Sequence, residues 1–288
     1  MPVDSNQPWK YLANCSLLFS ELPLLSRPAV ARAAGFDEIE FWWPFAEADP
    51  INRDVDRFAS AVEDAGVWLV GLNFYAGDLA GPDCGMLSIP ARAAQFRQSV
   101  QVAAVLGERL GVRVFNALYG NRVAGVSPEE QDETALANLV YAAERVGRFG
   151  ATVLIEAVSG PKPYPLRTAD RAVAVVDRAR AAGAANVGFL CDLYHLAANG
   201  DDLDAAIAAH AAKIAHVQIA DYPGRGEPGS GTLDFGHLFE TLRRHGYLGW
   251  IGLEYKPTDT TELSLERLRG QGMLDPWKAA RPAKEPSA

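Results

Sequence analysis

Four oxygen-bearing side chains in the second half of the chain lie at or near the ends of short apolar runs. Glu156 closes TVLIE, Asp192 closes VGFLCD and Glu254 closes WIGLE, while Gln218 lies within HVQIA. If these runs are parallel strands, their carboxyl ends meet at one edge of a sheet. Carboxylate and amide oxygens suit Mg²⁺ or Mn²⁺, whereas zinc usually recruits His or Cys. The pattern therefore predicts a divalent-metal site formed by all four residues.

A simpler interpretation exists for each acid taken alone. An acidic residue after a strand is commonly a helix cap or a solvated loop charge. Four oxygen ligands at successive strand ends favour a shared site instead. Carboxylates packed together raise one another's pKa unless a cation neutralises them, and a bound metal would explain why the cluster is tolerated.

The chain as a whole divides into eight units, in each of which a short apolar segment precedes a helical one. Segments apolar on both faces are typical of a parallel sheet covered by helices. The first segment leads into NCSLLFSELP, which lacks the GxGxxG turn that a doubly wound dinucleotide fold would need. We predict an α/β chain forming a single (β/α)₈ TIM barrel over residues 10–278, with flexible ends at 1–9 and 279–288. Its strands are predicted at 12–19, 36–43, 67–74, 112–118, 152–156, 187–192, 213–220 and 250–254.

Helix signals separate these strands. Ser26, Ser127 and Thr168 are predicted N-caps, and Pro128 suits a first helical position. Further helices are predicted at 53–65, 91–110, 201–212 and 234–245, with a last one after Thr261.

Composition excludes several classes of protein. The 288 residues are 49% hydrophobic and 22% charged, and 27 basic against 36 acidic residues give a net charge of −9. Such a chain repels polyanions, so we expect no nucleic-acid partner. No apolar run approaches the roughly 20 residues that a membrane helix needs, and the first nine residues do not resemble a signal peptide. Three widely spaced cysteines fit reduced thiols, so we expect a cytoplasmic protein with a small-molecule substrate; a homo-oligomer is left open.

Several longer motifs carry a resemblance to a known family. They are GFDEIEFWWPF (35–45), AGD (76–78), CDLYH (191–195), HVQIAD (216–221), GRGEPGSG (224–231) and GLEYKP (252–257). With them the chain, from about residue 12 to residue 270, resembles the hydroxypyruvate isomerase family of the xylose isomerase-like barrels. The resemblance implies that Glu156 and Glu254 are the acid/base pair and that both bind the metal with Asp192 and Gln218. After Glu156 the chain departs from the family, with Ala-Val-Ser in place of the more usual Pro-Ile-Asn.

The implied activity is a metal-dependent isomerisation of a small hydroxy-keto acid, foremost hydroxypyruvate to tartronate semialdehyde. A 2-oxo-tetronate isomerase is the nearest alternative. A ketose 3-epimerase is more distant, because related epimerases usually place His where this chain has Gln218. Proton transfer by the glutamates and a metal-assisted hydride shift both remain open. A barrel endonuclease would need zinc-binding histidines and a basic face, and a binding protein would not need paired glutamates.

Four further residues are predicted to bind substrate. His195 could contact a substrate oxygen or act as a cap, and Arg225 and Lys256 could hold a carboxylate. Glu227 could bind substrate or pair with Arg225. We interpret His216 as a hydrogen-bonded core histidine. The aromatic residues that end the second and third strands could close the site to water or pack the core: Trp42, Trp43, Phe74 and Tyr75.

Overall fold

A computed structural model describes residues 8–79, 83–160 and 163–274. Eight parallel strands form a closed barrel in chain order, so the predicted (β/α)₈ TIM barrel is confirmed. The strands are β1 (Lys10–Asn14), β2 (Glu38–Phe41), β3 (Trp68–Asn73), β4 (Val114–Asn116), β5 (Thr152–Glu156), β6 (Val187–Asp192), β7 (Ile214–Ile219) and β8 (Trp250–Leu253).

Helices surround this barrel. Within the described ranges they are α1 (Arg27–Ala33), α2 (Asn52–Ala65), α3 (Ala93–Leu110), α4 (Pro128–Gly147), α5 (Ala169–Ala181), α6 (Leu193–Asn199), α7 (Leu203–His210), α8 (Phe235–Arg244) and α9 (Thr261–Gly270). None of these described helices is both long and apolar enough to span a bilayer.

Two predicted caps are confirmed and one is wrong. The Ser127 hydroxyl accepts from the Glu130 N–H at 3.1 Å, and the Thr168 hydroxyl accepts from the Arg171 N–H at 3.3 Å. Ser26 precedes α1, but its side chain makes no capping bond. Its backbone is already helical, with φ −88° and ψ −20°, whereas a capping side chain requires an extended backbone.

The first strand is shorter than predicted and starts earlier. It was predicted at 12–19, but β1 ends at Asn14, where the chain turns. The Asn14 carbonyl accepts from the N–H groups of Leu17 and Leu18, and its side-chain oxygen accepts from the Ser16 N–H at 3.1 Å. An apolar sequence continues through this turn because its side chains enter the core, so the pattern did not reveal the end of the strand.

A second difference follows β6. Instead of one helix at 201–212, the structure has α6 and α7. The Asp192 carboxylate begins α6 by accepting from the His195 N–H at 2.9 Å. Asp192 therefore combines the helix-cap and strand-end roles that the sequence presented as alternatives.

The strand register sorts the barrel interior into layers, because side chains two residues apart on a strand share a face. Glu156 pairs with Leu190, and Asp192 pairs with Gln218. Two residues below the rim, Val114, Leu154 and Leu190 form a small apolar cluster of their own. The rim above that cluster is polar, as expected for the carboxyl ends of barrel strands.

The main core lies between the barrel and its helices. Phe74 stacks on Phe115 with ring centroids 5.2 Å apart, and Phe41 meets Phe58 edge-on at the same distance. Burying each such side chain contributes roughly 1.5–3 kcal/mol. At the amino-terminal side, the Trp9 ring lies 5.7 Å from Phe239. Residues 1–7 and 275–288 lie outside the described residues, so the flexible ends stay predictions.

Candidate active site

The four predicted ligand residues lie together at the carboxyl-terminal rim of the barrel. All four side chains are buried, with exposures of 2–4%. They come from four consecutive strand ends, β5 to β8, as the sequence predicted. The residues are Glu156, Asp192, Gln218 and Glu254.

Glu156 is held by a neighbour at the end of β4. The Asn116 amide nitrogen donates to Glu156 Oε2 at 2.7 Å. Burial raises the pKa of Glu156 well above its ordinary value, and the Asp192 and Glu254 carboxylates raise it further. The hydrogen bond from Asn116 opposes this shift without reversing it. Glu156 is therefore a carboxyl group that gains a proton readily.

His195 faces two carboxylates from the first turn of α6. Its Nε2 lies 3.7 Å from Glu156 Oε1 and 3.8 Å from Asp192 Oδ2. The Ser159 N–H donates to His195 Nδ1 at 3.1 Å, so Nδ1 is an acceptor and the ring proton sits on Nε2. Burial lowers the pKa of His195 to about 4, which keeps the ring neutral at pH 7. His195 thus presents an N–H donor toward the centre of the site.

Glu254 contacts an aromatic side chain and a cation at the rim. Trp42 Nε1 donates to Glu254 Oε1 at 2.7 Å, and Arg225 Nη2 lies 3.0 Å from the same oxygen. Burial raises the pKa of Glu254 to about 8, with Arg225 opposing the shift and Asp192 reinforcing it. A carboxyl group with such a pKa is suited to exchange protons near neutral pH.

Arg225 is fixed by its surroundings. Its guanidinium lies 5.4 Å from the Tyr194 ring and 6.0 Å from the Trp42 ring. Burial lowers the pKa of Arg225, but the Glu254, Asp192 and Glu156 carboxylates outweigh this and hold it above its ordinary value. Within the part of the chain that the structure describes, the buried Nε has no hydrogen-bond partner. The site therefore contains a permanent cation with a free donor.

The other two predicted substrate residues have different surroundings. The Glu227 carboxylate accepts from the Thr258 N–H at 3.0 Å and from Thr258 Oγ1 at 2.7 Å, and it pairs with Arg267 at 2.5 Å. These contacts tie the glycine-rich loop to the segment after β8. The Lys256 side chain is exposed. The backbone N–H of Lys256 donates to the Arg225 carbonyl at 2.7 Å. Substrate binding by Glu227 and Lys256 stays a prediction.

Gln218 is hydrogen-bonded to a buried acid inside the barrel. Its Nε2 donates to Glu40 Oε1 at 2.7 Å, and His216 Nε2 lies 2.9 Å from Glu40 Oε2. His216 is 1% exposed, as expected for the hydrogen-bonded core histidine that we inferred. Gln218 Oε1 is buried and has no hydrogen-bond partner among the described residues.

These residues fit a hard divalent cation. Glu156 and Glu254 have raised pKa values, and the Gln218 amide oxygen has no partner among the described residues; a bound cation would relieve all three. Ligand atoms of Glu156, Asp192 and His195 lie within 4.8 Å of one another. The proton on Nε2 makes His195 a donor rather than a ligand, which leaves the oxygen set intact. Metal binding itself stays a prediction.

Sequence reasoning missed three residues of this site. Glu40 was quoted within a motif without a role, Asn116 was assigned only to a strand, and Ser159 was noted only as a departure from the family. A weak signal existed for Glu40, because it lies in strand β2 between the apolar residues Ile39 and Phe41. Asn116 and Ser159 gave no such signal, since their partners are 40 and 36 residues away in sequence.

Aromatic residues line a cavity beside Glu254. The cavity has a volume of about 280 Å³, and its lining includes the four aromatic residues predicted at this end of the barrel, Trp42, Trp43, Phe74 and Tyr75, together with Phe45 and Asn73. Trp42 lines this cavity and also contacts Glu254 and Arg225. The aromatic groups thus both pack the core and border the site.

A closed eight-stranded barrel with buried acids at its carboxyl-terminal rim defines a TIM-barrel protein with an acidic rim site. The chain belongs to the xylose isomerase-like TIM barrel family, whose model matches residues 28–271. A Streptomyces coelicolor protein named provisionally as a hydroxypyruvate isomerase is 54% identical, over 87% of this chain and 91% of that protein. The Escherichia coli hydroxypyruvate isomerase is 32% identical, over 93% and 99%. The prediction of an isomerase is confirmed by these relatives.

Two further relatives show how widely this family varies. The 2-oxo-tetronate isomerase of Cupriavidus necator is 32% identical, over 90% of this chain and 97% of that protein. A crystal structure from Brucella melitensis described as a family 2 AP endonuclease is 32% identical and has a TM-score of 0.80, over 91% of this chain and 98% of that chain.

Proposed function

We propose that this protein is a divalent-metal-dependent isomerase that converts hydroxypyruvate to tartronate semialdehyde (2-hydroxy-3-oxopropanoate). The observation that carries the proposal is the pair of buried glutamates, Glu156 and Glu254, whose pKa values are both raised at one site. The names of the relatives support a small keto acid as substrate.

The reaction moves one hydrogen between neighbouring carbons. One glutamate takes a proton from the hydroxymethyl carbon, and the other delivers a proton to the carbonyl carbon, while the hydroxyl proton passes between the two oxygens. No atom is gained or lost. Mg²⁺ or Mn²⁺ held by Glu156, Asp192, Gln218 and Glu254 would supply Lewis-acid stabilisation of the negative charge that develops on the oxygens.

The remaining side chains bind and orient the substrate. The Nε2–H of His195 donates to a substrate oxygen, and the free donor of Arg225 binds the carboxylate. Trp42 holds Glu254 by a hydrogen bond and shields it from water.

A 2-oxo-tetronate is the second candidate substrate. The aromatic cavity of about 280 Å³ beside Trp42 offers room for an additional hydroxymethyl group. The resemblance to the Cupriavidus necator enzyme, as high as that to the Escherichia coli enzyme, also favours this candidate. We place it second because the relative at 54% identity is named for hydroxypyruvate.

Proton NMR of the Mg²⁺-loaded protein tests the proposal. Hydroxypyruvate, 2-oxo-tetronates and ketohexoses are offered in parallel, and we expect turnover of hydroxypyruvate. Glu156→Gln and Glu254→Gln keep an oxygen for the metal but remove the base, so turnover should fall at least about 100-fold while metal remains bound. In D₂O, proton transfer should place deuterium on the product carbon.

Each result has a distinct meaning. Turnover without deuterium incorporation would indicate a hydride shift and leave the glutamates as ligands. Activity on none of the offered keto acids would refute the proposed function. Full activity of both Gln variants would remove the glutamates from the chemistry.

A further inference from the structure

A buried glutamate that the proposed reaction does not use lies just below the rim of the barrel. Glu40 is 3% exposed and has a donor on each side. Asn14 Nδ2 donates to Glu40 Oε1 at 3.0 Å, and Gln218 Nε2 donates to the same oxygen at 2.7 Å. His216 Nε2 lies 2.9 Å from Glu40 Oε2. In the described part of the chain, each polar contact of the carboxylate is thus with a side chain inside the barrel.

Two glycines leave the space that this carboxylate fills. A Cβ at Gly252 on β8 would lie 2.7 Å from Glu40 Oε1 and 3.0 Å from Gln218 Cγ. A Cβ at Gly71 on β3 would lie 3.1 Å from Glu40 Oε2. Real side chains do not approach so closely without displacing their neighbour. The barrel interior is therefore shaped to hold Glu40 against Gln218.

The hydrogen bonds fix which end of each amide faces Glu40. The Ser16 backbone N–H, which can only donate, contacts Asn14 Oδ1 at 3.1 Å. Asn14 must therefore turn its nitrogen toward Glu40. A carboxylate accepts but does not donate, so Gln218 must also present its NH₂ group to Glu40. The Gln218 oxygen then points the opposite way, where it is buried and unpartnered among the described residues.

We propose that Glu40 is a positioning residue that holds the Gln218 amide with its oxygen toward the metal. The inference rests on the proposed metal site. The two ends of an amide have nearly the same shape, so packing alone does not select between them. An NH₂ group turned to the cation would repel it. Outer partners of metal ligands typically contribute 10- to 100-fold to metal affinity.

Mn²⁺ affinity without substrate measures this role directly. The free Mn²⁺ remaining in a titration is read from its electron paramagnetic resonance signal. Glu40→Met, which keeps the length of the side chain but removes the acceptor, should raise the Kd about 10- to 100-fold. Glu40→Gln should keep the Kd within about threefold, because its oxygen can still accept from Asn14 and Gln218.

Repeating the Glu40 substitution in a second variant distinguishes a positioning role from a general contribution to the stability of the fold. In Gln218→Glu, both terminal atoms of residue 218 are oxygens, so no orientation has to be selected. Glu40→Met should therefore not weaken Mn²⁺ binding in this background, whereas a merely structural role would produce the same loss in both. Circular dichroism confirms that each variant is folded.

The outcomes distinguish this inference from the proposed function. A wild-type protein that binds no Mn²⁺ would refute the metal site itself. If the wild type binds Mn²⁺ and folded Glu40→Met binds it equally well, or if the loss is the same in both backgrounds, positioning by Glu40 is overturned. Should Glu40→Met not fold, Glu40→Leu, which also lacks an acceptor, replaces it in both backgrounds and is judged by the same outcomes.

Discussion

Replacing Arg225 with Met should abolish the preference of the enzyme for a substrate that carries a carboxylate. The guanidinium contacts Glu254 at 3.0 Å through Nη2, and its buried Nε has no partner among the described residues. Tyr194 and Trp42 flank it at 5.4 and 6.0 Å, so it has little freedom to turn toward water. A substrate carboxylate would satisfy this donor.

The size of the effect follows from the strength of one charge-assisted hydrogen bond. Such a bond is worth roughly 1.5–3 kcal/mol, which corresponds to about 10- to 150-fold in kcat/KM. Arg225 also contacts Glu254, so its loss affects every substrate. Dihydroxyacetone has the same hydroxy-ketone unit without a carboxylate and corrects for that common effect. The ratio of kcat/KM for hydroxypyruvate to that for dihydroxyacetone should therefore fall about 10- to 150-fold.

Lys256 provides the matched control. It is a cation close to Arg225 in the fold, but its side chain is exposed. Lys256 was also predicted to hold a carboxylate, so it separates the two assignments. If Arg225 holds the carboxylate, Lys256→Met should leave the ratio within about twofold, because an exposed charge contributes little to a specific contact. Both variants are assayed by NMR with the two substrates. An unchanged ratio in Arg225→Met would refute the carboxylate role, and an equal fall in Lys256→Met would replace it with general electrostatic attraction.

Two smaller predictions concern residues that hold the site in place. Ser159→Ala removes the hydroxyl 2.7 Å from His195 Nδ1, and kcat/KM should fall about fivefold, equivalent to ~1 kcal/mol, with unchanged Mn²⁺ affinity; a parallel loss of metal would contradict a role limited to His195. Burial raises the pKa of Glu227, but bonds from Thr258 and Arg267 outweigh it and hold the pKa below its ordinary value. Glu227→Gln should therefore destabilise the protein by about 1–2 kcal/mol at pH 7 in urea unfolding. This difference should begin to shrink as the pH falls below the unfolded pKa of about 4.3 and should be lost only below the lower folded pKa. A difference that does not shrink at all between pH 5 and pH 3 would show that the carboxylate charge is not its cause.

The barrel and the position of the four rim residues could be predicted because their signals are local. Strand length, apolar content on both faces and an acid at the strand end are all visible within six to eight residues. Closure of the barrel then places Glu156, Asp192, Gln218 and Glu254 on neighbouring strands without further information. The end of β1 was missed because an apolar segment can continue into the core after the backbone has turned at Asn14.

The hydrogen-bond partners of those four residues could not be predicted, because each depends on contacts between distant parts of the chain. Glu40 meets Gln218 across 178 residues of sequence, and Asn116 meets Glu156 across 40. Strand order alone makes neighbours of β4 and β5, but it does not say that the Asn116 side chain donates to a carboxylate. For Glu40, contact across the barrel interior further depends on the missing side chain at Gly252.

The two halves of the barrel interior support the rim in different ways. Leu154 and Leu190 lie below Glu156 and Asp192. These apolar side chains donate no hydrogen bonds to the two acids. They are oriented from the side, by Asn116 and by the first turn of α6.

Below Gln218 lies His216, and Glu40 occupies the space left by the glycine that precedes Glu254 on β8 by two residues. This polar half orients the Gln218 amide from beneath. The Glu40 carboxylate suits this role because it only accepts hydrogen bonds and so contacts the NH₂ end of the amide. The apolar half contributes instead through burial, which is the largest cause of the raised pKa of Glu156. Apolar surroundings thus raise the pKa of the Glu156 carboxyl group, and polar surroundings fix the orientation of the Gln218 amide.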